Sequence, residues 1–347
     1  MPRRLAITAP FVVEVIPYDE PPLQPHQVRV RSELASAKHG TNVSLFEGTN
    51  FVGQRFDPKE HIFRPAVTAT AAAPAGPRAL YGTMAVGTVI EIGPAVTRWQ
   101  IGERVFGPLD VRETNVCGEQ DVWALGPIEP EQALCLEPAY VAFFSVRESG
   151  VRFGDSVAVV GLGAIGLLAV RMARLAGAET VLAADPLPHR RAVAAALGAD
   201  HVFDPTACDL GEEAHRLTGG QGADVTIEVA GRYDALQDAI RCTRVGGTVC
   251  MTGFYQGPAQ GVWLGREAHH NRLTFVVPHG CGWANLPREY PRWDERRAYD
   301  ALVSLMRQGK LAAPGIIRPI VALDEAPQVW EWIARAPEKV IKFAVRF

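Results

Sequence analysis

At 347 residues, with 35 Lys+Arg against 38 Asp+Glu and a formal net charge of −3, the chain exceeds one typical domain and is long enough to bury sizeable cores. The near balance of charge excludes a basic face for nucleic acid and an acidic disordered tail. The expected partner is therefore a small molecule, with no nucleic acid and no membrane.

In chain order, Met1-Pro-Arg-Arg-Leu-Ala-Ile-Thr-Ala-Pro is followed by no apolar run long enough for a signal peptide or a membrane span, so a soluble cytoplasmic protein is expected. The six cysteines, Cys117, Cys135, Cys208, Cys242, Cys250 and Cys281, form no C-x-x-C pair, which fits reduced thiols, most of them small core residues. The first ~145 residues read as short β segments broken by Gly and Pro, among them Val28-Arg-Val-Arg-Ser and Ala85-Val-Gly-Thr-Val-Ile-Glu-Ile-Gly, and predict a β-rich barrel domain. Arg64 to Arg78, full of Ala, Thr and Pro, reads as a loop.

From Asp155 the pattern changes. Strands at 157–160, 181–184, 225–228 and 248–251 alternate with helices at 165–176, 189–197 and 233–242. Such alternation predicts an α/β fold, a doubly wound parallel sheet with helices on both faces. A helix at 300–308 and a closing strand at 340–346 follow.

The most informative segment is Val157-Ala-Val-Val-Gly161-Leu162-Gly163-Ala164-Ile165-Gly166, where an apolar strand runs into a glycine-rich turn and then an apolar helix. Gly161 permits the tight turn, Gly163 lets the backbone approach a pyrophosphate, and Gly166 lets helix pack on strand. The next strand ends at Asp185, about twenty residues on, where a carboxylate accepts from ribose hydroxyls and repels a 2′-phosphate. The expected cofactor is NAD, with NADP less favoured. Arg190 or Arg191 could still recruit a phosphate, and a turn aspartate before Pro186 is the plainer alternative for Asp185.

The order of a β-rich domain, the turn at 161–166, Leu197-Gly-Ala-Asp200, Gly222-Ala-Asp-Val225, Glu228-Val-Ala-Gly231 and Gly246-Gly-Thr-Val249 resembles the medium-chain dehydrogenase/reductase superfamily over nearly the whole chain. The resemblance implies that 1–148 and 285–347 form a GroES-like catalytic domain, that the Rossmann domain, 149–284, is inserted between them, and that the active site lies in the cleft. It also implies that Val229, Ala230, Gly253 and Phe254 line the cofactor. A homodimer or tetramer paired through edge strands is expected, with Leu273-Thr-Phe-Val-Val-Pro278 as the candidate edge.

Zinc alcohol and polyol dehydrogenases of that superfamily carry Cys-Gly-(Ser/Thr)-Asp, then Gly-His-Glu, then a third Cys or Glu. This chain has His39-Gly-Thr-Asn42, Gly82-Thr-Met84 and Leu136-Glu137-Pro138-Ala139. A catalytic zinc needs three protein ligands, and a His39–Glu137 pair is too few, so no metal is expected. Between Gly87 and Leu125 only Cys117 occurs, so a four-cysteine zinc lobe is missing too. Ala35 to Asn42, Gly265 to Leu273 and Arg292 to Arg297 look like the zinc-less branch that includes bacteriochlorophyllide a dehydrogenase.

Without a metal, the hydroxyl proton must still be removed and the alkoxide stabilised. Thr41 falls where the zinc enzymes keep a substrate-binding hydroxyl and is the expected proton relay. His39 or Lys38 is the expected base, with Glu137 orienting it. Solvated loop roles for Lys38 and His39, and a backbone-holding role for Glu137, stand beside these readings. His269 and His270 are expected to make ordinary polar contacts, and Trp283, Trp293, Trp330 and Trp332 to pack. The expected activity is a zinc-independent, NAD(H)-linked oxidation of a polar, cyclic or polyol-like secondary alcohol, or reduction of the ketone. The alternatives are a quinone or enoyl reductase and a non-catalytic nucleotide-binding protein.

Overall fold

The structure is a computed structural model that describes residues 1–49, 53–65, 76–279 and 286–347. Cys281, Trp283 and most of the 64–78 loop lie outside the described residues. The chain forms two compact units, Met1–Leu134 with Ile317–Phe347, and Cys135–Ile316.

The first unit is built on a seven-stranded sheet. Its path runs through Ile317–Ala322, Lys342–Arg346, Gln27–Ser36, Met84–Ile92, Arg104–Gly107 and Trp123–Ala124, with Thr114–Gly118 pairing onto Gln27–Ser36. Alternation along Gln27–Ser36 turns Val28, Val30 and Leu34 inward, as a half-solvated sheet requires. Val28 and Val30 meet Val89, Val105, Trp330 and Phe343 in one core. The chain's final strand, Lys342–Arg346, pairs antiparallel with Gln27–Ser36 at Val345↔Ala35. The β-rich segment also holds a helix that the reading of short strands passed over, His39–Glu47, closed by Gly48 at φ 71°. Glycine takes that left-handed conformation without a Cβ penalty.

The second unit carries the parallel sheet. Its six strands stand in the order His201–Phe203, Thr180–Ala184, Ser156–Val160, Ala223–Glu228, Thr243–Met251, Thr274–Val276, and every pairing is parallel. The strand at the centre comes first in the chain and the order reverses beside it, which is the doubly wound arrangement. Helix Ala164–Leu175 buries Leu167, Leu168 and Val170 completely, each worth about 1.5–3 kcal/mol of apolar burial.

The division of the chain differs from the expected boundaries at 148 and 285. Residues 135–148 and 286–316 group with the parallel-sheet unit because helix Leu136–Glu148 packs against helix Ala164–Leu175. Helix Glu295–Arg307 packs in turn on Leu136–Glu148, with Tyr140 and Tyr299 stacked at 4.6 Å. Helix Glu295–Arg307 begins five residues before the expected Asp300, because the Asp294 side chain caps it by accepting Arg297 N–H at 2.7 Å. Among the described residues no helix is long and apolar enough to cross a membrane.

Candidate active site

The glycine turn has the shape its residues dictate. Gly161 stands at φ 95°, and a Cβ there would lie 2.7 Å from Ala230 N. A Cβ on Gly166 would lie 1.9 Å from Gly161 O, whereas around Gly163 there is nothing within 4 Å. The first and third glycines are thus filled against by backbone and the second faces open space, as a phosphate cradle needs. Gly163 is the N-cap of helix Ala164–Leu175, with no side-chain cap, so the first-turn amides around Ala164, Ile165 and Gly166 are available to an anion.

Asp185 is buried at the end of its strand. Its Oδ2 accepts Leu162 N–H and its Oδ1 accepts Leu187 N–H, both at 2.9 Å, while Arg190 Nη1 stands 3.6 Å from Oδ2. Arg191 donates to the main-chain oxygens of Asp185 and Pro186 and pairs with Asp204 at 3.2 Å. The carboxylate therefore holds the glycine turn. Both readings of Asp185, the turn aspartate and the ribose acceptor, are compatible with this geometry. Val229 N–H donates to Val160 O at 2.8 Å, placing Val229 and Ala230 beside the turn. Gly253 and Phe254 follow the next strand of the same sheet.

In the other unit Lys38, His39, Thr41 and Asn42 come together where strand Gln27–Ser36 passes into helix His39–Glu47, with Lys38 as its N-cap. Asn42 is completely buried and structural. Its Nδ2 donates to Lys38 O at 2.5 Å and Tyr81 O at 2.8 Å, and its Oδ1 accepts Tyr81 N–H at 2.9 Å. This draws 81–84 against the turn. Thr83 donates to Asp110 Oδ1 at 3.4 Å, and Met84 is fully buried in strand Met84–Ile92.

His39 is less available than the sequence suggests. Its ring stacks on Phe343 at 5.1 Å, and its Nε2 accepts the Phe343 backbone N–H at 3.2 Å. With Nε2 as acceptor, the neutral ring carries its proton on Nδ1. The same strand reaches the turn twice more: Ser36 Oγ donates to Phe343 O at 2.6 Å, and buried Lys342 donates through Nζ to Ala37 O at 3.0 Å. Sequence reasoning passed over Lys342, although a lysine inside Val340-Ile-Lys-Phe-Ala-Val is the visible mark of a buried charge with a task.

Glu137 lies in the parallel-sheet unit, half-buried in the first turn of helix Leu136–Glu148. Among the described residues no three His, Cys, Asp or Glu side chains are placed to hold a metal ion. The five described cysteines are free thiols, with Cys135, Cys242 and Cys250 buried. His269 and His270 are both exposed, and His270 Nδ1 lies 3.1 Å from Arg266 O. Trp330 is in the core of the first unit, while Trp293 is flanked by Arg147 and Arg297, 4.4 and 4.3 Å from its ring.

Residues 164–292 match the family model for zinc-binding dehydrogenases. D-guloside 3-dehydrogenase of Escherichia coli K12 is 36% identical over 99% of this chain and 100% of its own length. The fold is also that of 2R,3R-butanediol dehydrogenase from Bacillus subtilis, at TM-score 0.76 and 21% identity over 100% of both chains. A quinone oxidoreductase from Pseudomonas syringae pv. Tomato DC3000 is similar at TM-score 0.73 and 22% identity, over 100% of both chains.

Proposed function

Because the chain belongs to the medium-chain dehydrogenase/reductase superfamily and is on that ground an oxidoreductase, we propose that it is a zinc-independent, NAD(H)-linked dehydrogenase acting on a ring hydroxyl of a sugar or glycoside. The observation that carries the substrate class is the end-to-end identity of 36% with an enzyme named for oxidation at carbon 3 of a guloside. The polar set Lys38, His39 and Thr41, and Glu137-Pro138, agree with a hydroxylated substrate.

The residues of the glycine turn fit a nicotinamide dinucleotide: open space at Gly163, uncapped helix amides, and a buried carboxylate at Asp185. When bound, the cofactor supplies the acceptor or donor of hydride. The donor set at the other motif does not fit a catalytic zinc. Thr83 and Met84 stand where a histidine and a carboxylate would be needed, and His39 already spends Nε2 on a backbone amide. No step is assigned to a metal.

In this reading Thr41 orients the substrate hydroxyl and relays its proton, Lys38 receives it, and His39, held by Phe343, buttresses the turn. Partners beyond the substrate are a second copy of the chain, through the edge strand Thr274–Val276 where Phe275 and Val277 are exposed. A panel of methyl glycosides, polyols, simple secondary alcohols, quinones and enones, each offered with NAD(H) and NADP(H), tests the assignment. Turnover of a ring alcohol with NAD is expected. Turnover confined to quinones or enones with NADPH would replace it by a reductase, and hydride transfer to nothing in the panel would leave a nucleotide-binding protein.

A further inference from the structure

Glu228 closes strand Ala223–Glu228, and its side chain is completely buried. Its main-chain oxygen accepts Thr252 N–H at 2.9 Å and Gly253 N–H at 3.1 Å. The side chain reaches the turns after both strands. Oε1 accepts Gly231 N–H at 2.9 Å, the amides of Ala230 and Arg232 add to this, and Oε2 accepts the Tyr255 hydroxyl in a very short hydrogen bond. The two turns are pressed together as well: a Cβ on Gly253 would stand 2.3 Å from Gly231 N and 2.5 Å from Glu228 Oε2. Tyr255 is itself braced by Tyr233, stacked on it at 5.3 Å, whose hydroxyl donates to Gly257 O at 2.6 Å.

A buried carboxylate is a costly staple, since burial penalises its charge. Nothing in the hydride chemistry above uses it. What it achieves is a bridge between 229–232 and 252–255, made from one side chain with acceptors on both oxygens.

We propose that Glu228 is a positioning residue for the dinucleotide site, locking turn 229–232 to turn 252–255 through the Gly231 amide and Tyr255 and so fixing Val229, Ala230, Gly253 and Phe254 in one arrangement. The proposal rests on the reading of those four residues as the cofactor's lining. Burial pushes the Glu228 carboxyl up to about 6, against the hydrogen bonds from Tyr255 and the amides. The groups facing it are Tyr255, Cys250 on the neighbouring strand and, behind Tyr255, Tyr233. Arg232 on the adjoining turn has its guanidinium paired with Asp234 at 2.6 Å. Burial lifts the Cys250 thiol to about 12 and raises the Tyr255 phenol as well, so neither changes protonation near pH 6. A carboxyl raised in the folded state binds its proton more tightly there than in the unfolded chain. Its contribution to stability is therefore greatest in acid and falls as pH rises from about 4.5 through about 6.

The test uses the full chain, with NADH and NADPH titrated by fluorescence at neutral pH and dinucleotide-free melting followed over the acid range. Tyr255→Phe should bind NADH about tenfold more weakly, the lower end for a hydrogen bond to a charged group, with turnover at saturating NAD retained. It should also move the fall in stability to higher pH, because the bond that favours ionisation is gone. Glu228→Gln can still bridge the turns and should bind NADH more tightly than Glu228→Ala, but with that fall abolished. Tyr255→Phe binding NADH within twofold of wild type overturns the proposal even if Glu228→Ala does not fold, and so does a Glu228→Gln melting profile that keeps the wild-type slope. Wild-type protein that binds neither dinucleotide is a different failure, that of the cofactor reading, and the proposal falls with it.

Discussion

Gly163 and Gly166 lie three residues apart in one turn, and the structure gives them opposite tasks. A methyl group on Gly166 would stand 1.9 Å from Gly161 O, and contacts under 3.0 Å essentially never occur for a real Cβ. More than about 1 Å of separation must be found by moving helix Ala164–Leu175 away from its strand. Gly161 cannot yield, since its N–H is bonded to Ala184 O at 2.8 Å and its Cα lies against Ala230. Overpacking of this kind costs about 3 kcal/mol, offset by up to about 1 kcal/mol because alanine is the better helix former. Gly166→Ala should therefore lose about 2 kcal/mol, a fall in Tm of roughly 4–8 °C for a unit of this size. Gly163→Ala meets nothing within 4 Å and has an ordinary φ of −71°. It should melt within about 2 °C of wild type, yet bind NADH at least about tenfold more weakly, because its methyl group enters the space a pyrophosphate needs. Calorimetry without dinucleotide and fluorescence titration with it separate the two effects. Wild-type melting of Gly166→Ala, or wild-type NADH affinity of Gly163→Ala, would refute the assignment of the turn.

Asp185 should make NADH bind more tightly than NADPH, and Asp185→Ser should narrow the difference while weakening both, because Leu162 N–H loses its acceptor; tighter NADPH binding in paired titrations would refute this. Elemental analysis of purified protein should find no stoichiometric zinc, and activity abolished by a chelator and restored by zinc would force His39 and Glu137 into ligand roles. Light scattering at micromolar concentration should give a dimer or tetramer, and a monomer would count against the edge strand. Lys38→Ala and Thr41→Val should lower turnover by about 10²- to 10⁴-fold, the usual worth of a positioned acid–base group, with NADH affinity kept. His39→Gln should cost less and leave the pH profile unaltered; a profile that loses a limb in His39→Gln would return the proton to the histidine.

What the sequence discloses here is what short-range chemistry decides. The turn at 161–166, the helix behind it and the acidic end of the next strand are legible because each glycine answers to a neighbour in the same unit of strand, turn and helix. Asp185 shows where that legibility thins. Its position is readable, but its bonds to Leu162 and Leu187 make it a brace for the turn, a role that spacing does not reveal. The helix at 39–47 escapes a reading by pattern because its buried apolar residues, Leu45 and Phe46, come only at its end, leaving no helical period to read.

The roles around His39 depend on contacts that no local pattern contains. Its partner Phe343 is 304 residues away, and Lys342 and Ser36 join the same clasp across a similar span. A histidine at the place of a lost cysteine invites the reading of a base. The strand that closes the sheet takes up its Nε2, which is why the proposed proton path runs to Lys38. The imidazole that stands where the zinc enzymes carry a thiolate is thus tied to the C-terminal strand, and the turn takes its shape from the contacts with Phe343 and Lys342.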